Sequence, residues 1–213
     1  PDEPSTCPFA PKPASKGAGE GEGALLPFDA LAASGNKALQ GSPGVGLVIA
    51  REAALVEAAG NADTLALDLH AQWRGFETDG QWRFTPPTHA VLALVAALDE
   101  LSAEGGVPAR RRRCTALCEQ LRGGMRTLGL LPLLDADVQA PVIVTFRMPP
   151  PSTGFCFEAF YAGLAERGYL VYPGKLTVAP SFRVGCIGHL DREDMQGFLG
   201  AAREVLAQMG VVL

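Results

Sequence analysis

The chain has 213 residues, 47% hydrophobic and 19% charged, with a net charge of −5, enough apolar chain for one substantial core or two modest ones. The acidic balance excludes the clustered basic surface that holds nucleic-acid backbones, which leaves a small-molecule ligand as the expectation. The longest apolar runs, such as Val45 to Ala50, fall far short of the roughly 20 residues of a membrane span.

Residues 1–23 hold Pro1, Pro4, Pro8, Pro11 and Pro13 and then the tract from Gly17 to Gly23, a composition expected to form a linker or disordered segment. Pro1-Asp2-Glu3-Pro4 carries neither the basic head nor the apolar stretch of a signal peptide, and without an initiator Met the chain reads as a fragment or an incomplete gene model. From Ala24 the character changes. Leu25 to Ala33 and Val45 to Ala50 read as buried strands, with turn signals at Gly35-Asn36 and Gly41-Ser42-Pro43-Gly44 between them. Arg51 to Ala59 is a predicted short helix ended by Gly60-Asn61, and Leu65 to Trp73 is ambiguous between helix and extended chain.

Thr85-Pro86-Pro87-Thr88 opens a long helix to about Glu104, stopped by Gly105-Gly106. A second helix is expected over about 108–128, followed by strands around Leu130 to Leu134 and Val142 to Phe146, then a helix from Phe155 to Arg167. Tyr169 to Tyr172 and Phe182 to Cys186 read as short strands, and Asp191 caps a last helix reaching about Met209. This order predicts an α/β architecture: residues 24–106 as part of a larger domain and residues 107–213 as a small C-terminal domain. Two strands and one long helix cannot cover both faces of a parallel sheet, so uncovered apolar surface is expected on the first part.

Three residues stand where chemistry is possible. Lys37, in the turn between two apolar strands, is positioned for partial desolvation, which frees an amine as a nucleophile; taken alone it also reads as a solvated hairpin lysine. Thr85 stands at the mouth of a long helix, where phosphate is bound readily and where a threonine also serves as a simple cap. Arg183 lies in a short apolar strand, and its fork suits a carboxylate or phosphonate, or an internal salt bridge. Lys175 reads as a surface turn residue, and the run Arg110 to Arg113 as a solvated helix face.

Five cysteines, an odd and scattered set, indicate a reducing, cytoplasmic compartment. Cys114 and Cys118, four apart on a helix, read as packing. The three histidines show no spacing for a metal site or a triad, and no metal is expected.

Taken together, Ser34-Gly35-Asn36-Lys37, Gly41-Ser42-Pro43-Gly44-Val45-Gly46, Gly80-Gln81-Trp82-Arg83-Phe84-Thr85-Pro86-Pro87-Thr88-His89, Tyr172-Pro173-Gly174-Lys175 and Phe182-Arg183-Val184-Gly185-Cys186-Ile187-Gly188 resemble the 2-aminoethylphosphonate:pyruvate aminotransferases, class V enzymes of fold type I. The five blocks occur in the family's order from about Ala24 to the end. The resemblance implies the last part of the large cofactor domain plus the small domain, pyridoxal 5'-phosphate as cofactor, and a homodimer. Lys37 matches the lysine that joins the cofactor and shuttles the substrate proton. Asn36 beside it and Thr85 match cofactor-contacting positions, Thr85 reaching the phosphate from the neighbouring subunit. Arg183 matches the arginine that holds the substrate's phosphonate or carboxylate.

The implied reaction converts an amino donor, 2-aminoethylphosphonate, and a 2-oxo acid, pyruvate, to phosphonoacetaldehyde and L-alanine. Two alternatives stand beside it: a serine- or alanine:glyoxylate-type enzyme of the same class, and a truncated, non-catalytic dimerisation or interaction module. One departure counts against competence of this chain by itself. Where the family carries an aspartate for the pyridine nitrogen, the matching positions here fall in Pro11-Lys12-Pro13.

Overall fold

The computed structural model describes residues 28–174 and 179–211. The expected linker at 1–23, the first part of the strand expected from Leu25, and Lys175 therefore lie outside the described residues. The first elements are strands β1, Ala30–Ser34, and β2, Gly46–Ala50, paired antiparallel from Ala30 opposite Ala50 to Ser34 opposite Gly46. The connection is too short for the crossover that a parallel pair needs. The expectation of buried strands is corrected: β1 is exposed throughout and Ile49 is 59% exposed, because two strands cannot bury their own faces.

Helix α1, Glu52–Glu57, follows. The ambiguous stretch then divides into a 3-10 turn at Leu65–Leu67 and helix α2, Leu69–Asp79. The division has a clear cause, since the Asp68 carboxylate accepts from the Ala71 N–H at 2.9 Å and caps the helix. Helix α3 spans Thr88–Ala103, and the positive φ angles of Gly105 (104°) and Gly106 (75°) turn the chain into α4, Gly106–Thr127. As expected, apolar side chains on this first part stay exposed, including Leu65, Leu67, Phe84 and Leu92.

The C-terminal part is built on a three-stranded antiparallel sheet. Strand β3, Ile143–Arg147, and strand β4, Tyr172–Pro173, flank the central β5, Ser181–Gly185. Helix α5, Phe157–Glu166, and helix α6, Arg192–Gln208, pack with α4 over it. Val144, Phe146, Phe182 and Val184 are buried at alternate positions of β3 and β5. They meet Leu117, Leu121 and Met125 of α4, Phe160 and Leu164 of α5, and Phe198, Ala202 and Val205 of α6. Cys114 and Cys118 are buried, and burial raises the Cys118 thiol above its ordinary range.

The strand expected at Leu130 to Leu134 shrinks to one bridge, Pro132 opposite Phe146. Pro132 has no N–H to continue a ladder, although Leu133 donates to Thr145 O at 2.8 Å and Arg147 to Leu131 O at 2.9 Å.

Asp191 begins α6 as expected. Its carboxylate accepts from Glu193 N–H at 2.8 Å and Asp194 N–H at 2.9 Å, while its own N–H donates to the Asp194 carboxylate at 3.0 Å, a complete capping box. Those backbone donors, Asp194's first, hold the Asp191 carboxyl below its usual range. A carboxylate with a depressed folded value stabilises above its unfolded value and loses that contribution as pH falls through the folded one. Asp191→Ala is expected to lower the melting midpoint by roughly 2–4 °C at neutral pH, and by less in acid, as calorimetry at both pH values would show.

Candidate active site

Lys37 sits in the loop that joins β1 to β2, and that loop is shaped by hydrogen bonds of its own backbone. Gly35 N–H donates to Val45 O at 3.1 Å, Gln40 N–H to Lys37 O at 2.9 Å and Gly41 N–H to Gly35 O at 2.8 Å. Gly41 is required by close approach: a Cβ there would lie 2.8 Å from Gly35 O and 3.3 Å from Leu94 Cδ1. Gly35 also packs on Leu94, so α3 forms the floor beneath the loop. The Lys37 side chain is exposed at a recess of about 300 Å³ whose walls include Asn36, Gln40, Glu100, Gly188 and His189.

Across that recess lies the segment that follows β5. Gln40 Nε2 donates to Gly188 O at 2.6 Å, tying the lysine loop to the C-terminal part. The arginine run supplies the rest of the join, which corrects its reading as a solvated face. Arg111 and Arg112 are exposed, but Arg110 is 6% exposed and Arg113 is half-buried. A helix turn separates 110 from 113, so both face the same carboxylate. Arg110 Nε donates to Glu104 at 2.7 Å and Arg113 Nε at 2.8 Å.

The outer nitrogens reach further. Arg110 Nη1 donates to Ala38 O at 3.3 Å and Leu39 O at 3.5 Å, and Arg113 Nη1 to Gly188 O at 2.9 Å and Leu190 O at 3.0 Å. The hydrogen bond from Arg113 outweighs partial burial and, with that from Arg110, lowers the Glu104 carboxyl to about 2; the same bond raises Arg113. Glu104 is therefore ionised at any pH well above 2, and the pairing is lost only as pH falls towards that value. A glutamate just after α3 and arginines three apart early in α4 are the sequence signal for this cluster; the arginines are not solvated because both lie beside the buried stripe Cys114, Leu117, Leu121.

Thr85 is exposed in the segment between α2 and α3, which is anchored by Trp82 edge-on against Phe76 at 5.3 Å and by Arg83 at 3.8 Å from Asp68. It does not cap α3: the N-cap position is Pro87, which makes no side-chain cap bond. Thr85 lines a separate recess of about 750 Å³ with Gln81, Trp82 and Phe84, and that recess shares no residue with the one at Lys37.

Arg183 stands on the face of β5 opposite Phe182 and Val184. Its Nε donates to Pro173 O at 3.2 Å and its guanidinium lies 5.9 Å from the Tyr172 ring centroid. Among the described residues no carboxylate pairs with it, so the salt-bridge alternative is not realised there. The structure thus brings the Lys37 loop against the segment after β5, and leaves the Thr85 hydroxyl and the Arg183 guanidinium outside that recess.

The family model for class V aminotransferases matches residues 24–188. A 2-aminoethylphosphonate–pyruvate transaminase of Pseudomonas fluorescens is 49% identical over 187 residues, which cover 88% of this chain and 50% of that protein. A transaminase of the same name from Polaromonas is 47% identical over 199 residues, 93% of this chain and 53% of the relative. The chain therefore spans about half the length of the curated relatives it matches. Among solved structures, pyridoxamine-pyruvate aminotransferase of Mesorhizobium loti superposes with a TM-score of 0.74 at 22% identity, over 87% of this chain and 48% of that one. Aspartate aminotransferase of Thermus thermophilus gives 0.71 at 26%, over 85% and 49%. The α/β fold is that of a partial fold-type I aminotransferase, and the chain belongs to the class V aminotransferase family.

Proposed function

We propose that this chain is the lysine-bearing part of an aminotransferase that moves the amino group of 2-aminoethylphosphonate to pyruvate, giving phosphonoacetaldehyde and L-alanine. The observation that carries the reading is 47–49% identity to transaminases of that name, together with the exposed Lys37 amine at its recess. The donor set fits the aldehyde end of pyridoxal 5'-phosphate: a primary amine open to a cleft, with the Asn36 amide beside it. Among the described residues no aspartate lines that recess, and the positions Pro11 to Pro13 lie outside them.

Bound there, the cofactor supplies an electron sink for the donor's carbon. Lys37 Nζ would hold it, and the same amine would take the proton from the donor carbon that bears the nitrogen. Arg183, whose Nη1 and Nη2 make no hydrogen bond among the described residues, holds the phosphonate or carboxylate bidentately. Thr85, exposed beside a recess of its own, would reach the cofactor phosphate of a second copy in a homodimer, and the division between the cofactor part and the small domain falls near residue 106. All four cysteines among the described residues are free, which fits a reducing cytoplasm, and among those residues no helix is long and apolar enough to cross a membrane.

The test is turnover of 2-aminoethylphosphonate with pyruvate by the full-length protein, beside serine and alanine with glyoxylate. Preference for the phosphonate donor supports the reading; preference for glyoxylate supports the other branch of the class, and no turnover of any pair supports a non-catalytic module. Arg183→Ala is expected to lower kcat/KM for the phosphonate by about ten- to a hundredfold, the worth of a charge-assisted hydrogen-bonded pair. An unchanged kcat/KM would remove Arg183 from substrate binding.

A further inference from the structure

The Glu104 carboxylate stands between two guanidinium groups whose remaining nitrogens reach the backbone on either side of the Lys37 recess. One arm runs through Arg110 to the carbonyls of Ala38 and Leu39, the residues that directly follow Lys37. The other runs through Arg113 to the carbonyls of Gly188 and Leu190, beyond the end of β5. Gln40 closes the circuit onto the same Gly188 oxygen. We propose that Glu104, Arg110 and Arg113 form a positioning clamp that fixes the Lys37 loop relative to β5, the strand that carries Arg183.

The geometry favours this over a stabilising ion pair alone. Glu104 accepts from both side chains, so neither guanidinium can swing away without breaking a charge-assisted bond. Each arginine spends its Nη1 on backbone carbonyls of a loop rather than on a further carboxylate, while Arg113 Nη2 adds a second bond to Glu104 at 3.2 Å. Apart from the Gln40 side-chain bond to Gly188 O and the packing on Leu94, the lysine loop depends on turn bonds such as Gln40 N–H to Lys37 O, and loops held that way open locally at low cost. The neighbours Arg111 and Arg112 are exposed and make no such contacts among the described residues, so the helix itself does not demand arginine at 110 and 113. The positioning role rests on the reading of Lys37 as the cofactor-holding amine.

Glu104→Gln tests it, with Arg112→Ala as a control on the same helix and Arg113→Lys as a second variant should the first fail to fold. Two measurements on the full chain are compared: amide hydrogen exchange, which needs no cofactor, and the rate at which pyridoxal phosphate is trapped on Lys37 by borohydride. The clamp predicts exchange faster by about tenfold or more at 35–41 and 186–190, unchanged exchange at 117–125 and 198–206, and slower trapping at Lys37. Arg112→Ala keeps wild-type values in both. Wild-type exchange at both loops in the variants, or uniform acceleration through the core, would overturn the clamp. Failure of the wild-type protein to be trapped at Lys37 would overturn the reading of Lys37 and the positioning role with it.

Discussion

Replacing Lys37 with alanine is expected to lower transamination by about 10²–10⁴-fold or more, the usual contribution of a positioned proton-transfer group, with covalent attachment of the cofactor lost as well. The same change should leave folding untouched. The side chain is exposed, and the hydrogen bond at this position is made by its backbone carbonyl, which accepts from Gln40 N–H at 2.9 Å; surface changes of that kind stay within about 0.5 kcal/mol. Steady-state rates beside a urea titration would separate the two effects. Activity within a factor of about ten of wild type would mean that Lys37 is only a hairpin residue.

Phe182→Ala is expected to destabilise the protein by about 3–5 kcal/mol, a large part of the roughly 5–15 kcal/mol that holds a typical domain. Phe182 is 0% exposed at the centre of an aromatic cluster, with ring centroids 5.5 Å from Phe146, 5.6 Å from Phe160 and 6.0 Å from Phe157. No single neighbour can fill the vacated volume. Because Arg183 is the next residue on β5, the loss also blurs the guanidinium's placement, so the urea midpoint and the affinity for the phosphonate should fall together. A midpoint shift worth less than about 1 kcal/mol would mean that the cluster closes over the gap.

Local chemistry makes most helices legible in the sequence. The Asp191 cap, the Gly105-Gly106 stop and the apolar stripe of α4 each act within a turn of the residues they control. The misses come from terms that local pattern does not carry. Apolar residues at Val48 and Ile49 read as a buried strand, yet their burial depends on neighbours that the pattern does not contain. Pro132 shortens a predicted strand to a bridge by removing one donor. Arg110 and Arg113 read as solvated because charge alone does not reveal a partner, and Glu104 becomes that partner only once two glycines fold α4 back on α3. For the site, Lys37, Thr85 and Arg183 stand out through the resemblance rather than by local pattern; the joint between the lysine loop and the segment after β5 emerges only in three dimensions.

Whether Lys37 is the amine that holds the cofactor is read out by adding pyridoxal phosphate, reducing with borohydride and mapping the labelled peptide. The chain has four lysines, Lys12, Lys16, Lys37 and Lys175, so the assignment is unambiguous. Stoichiometric label on the peptide containing Lys37, with little on the other three, is the predicted result; label spread evenly over all four, or none at Lys37, would contradict it.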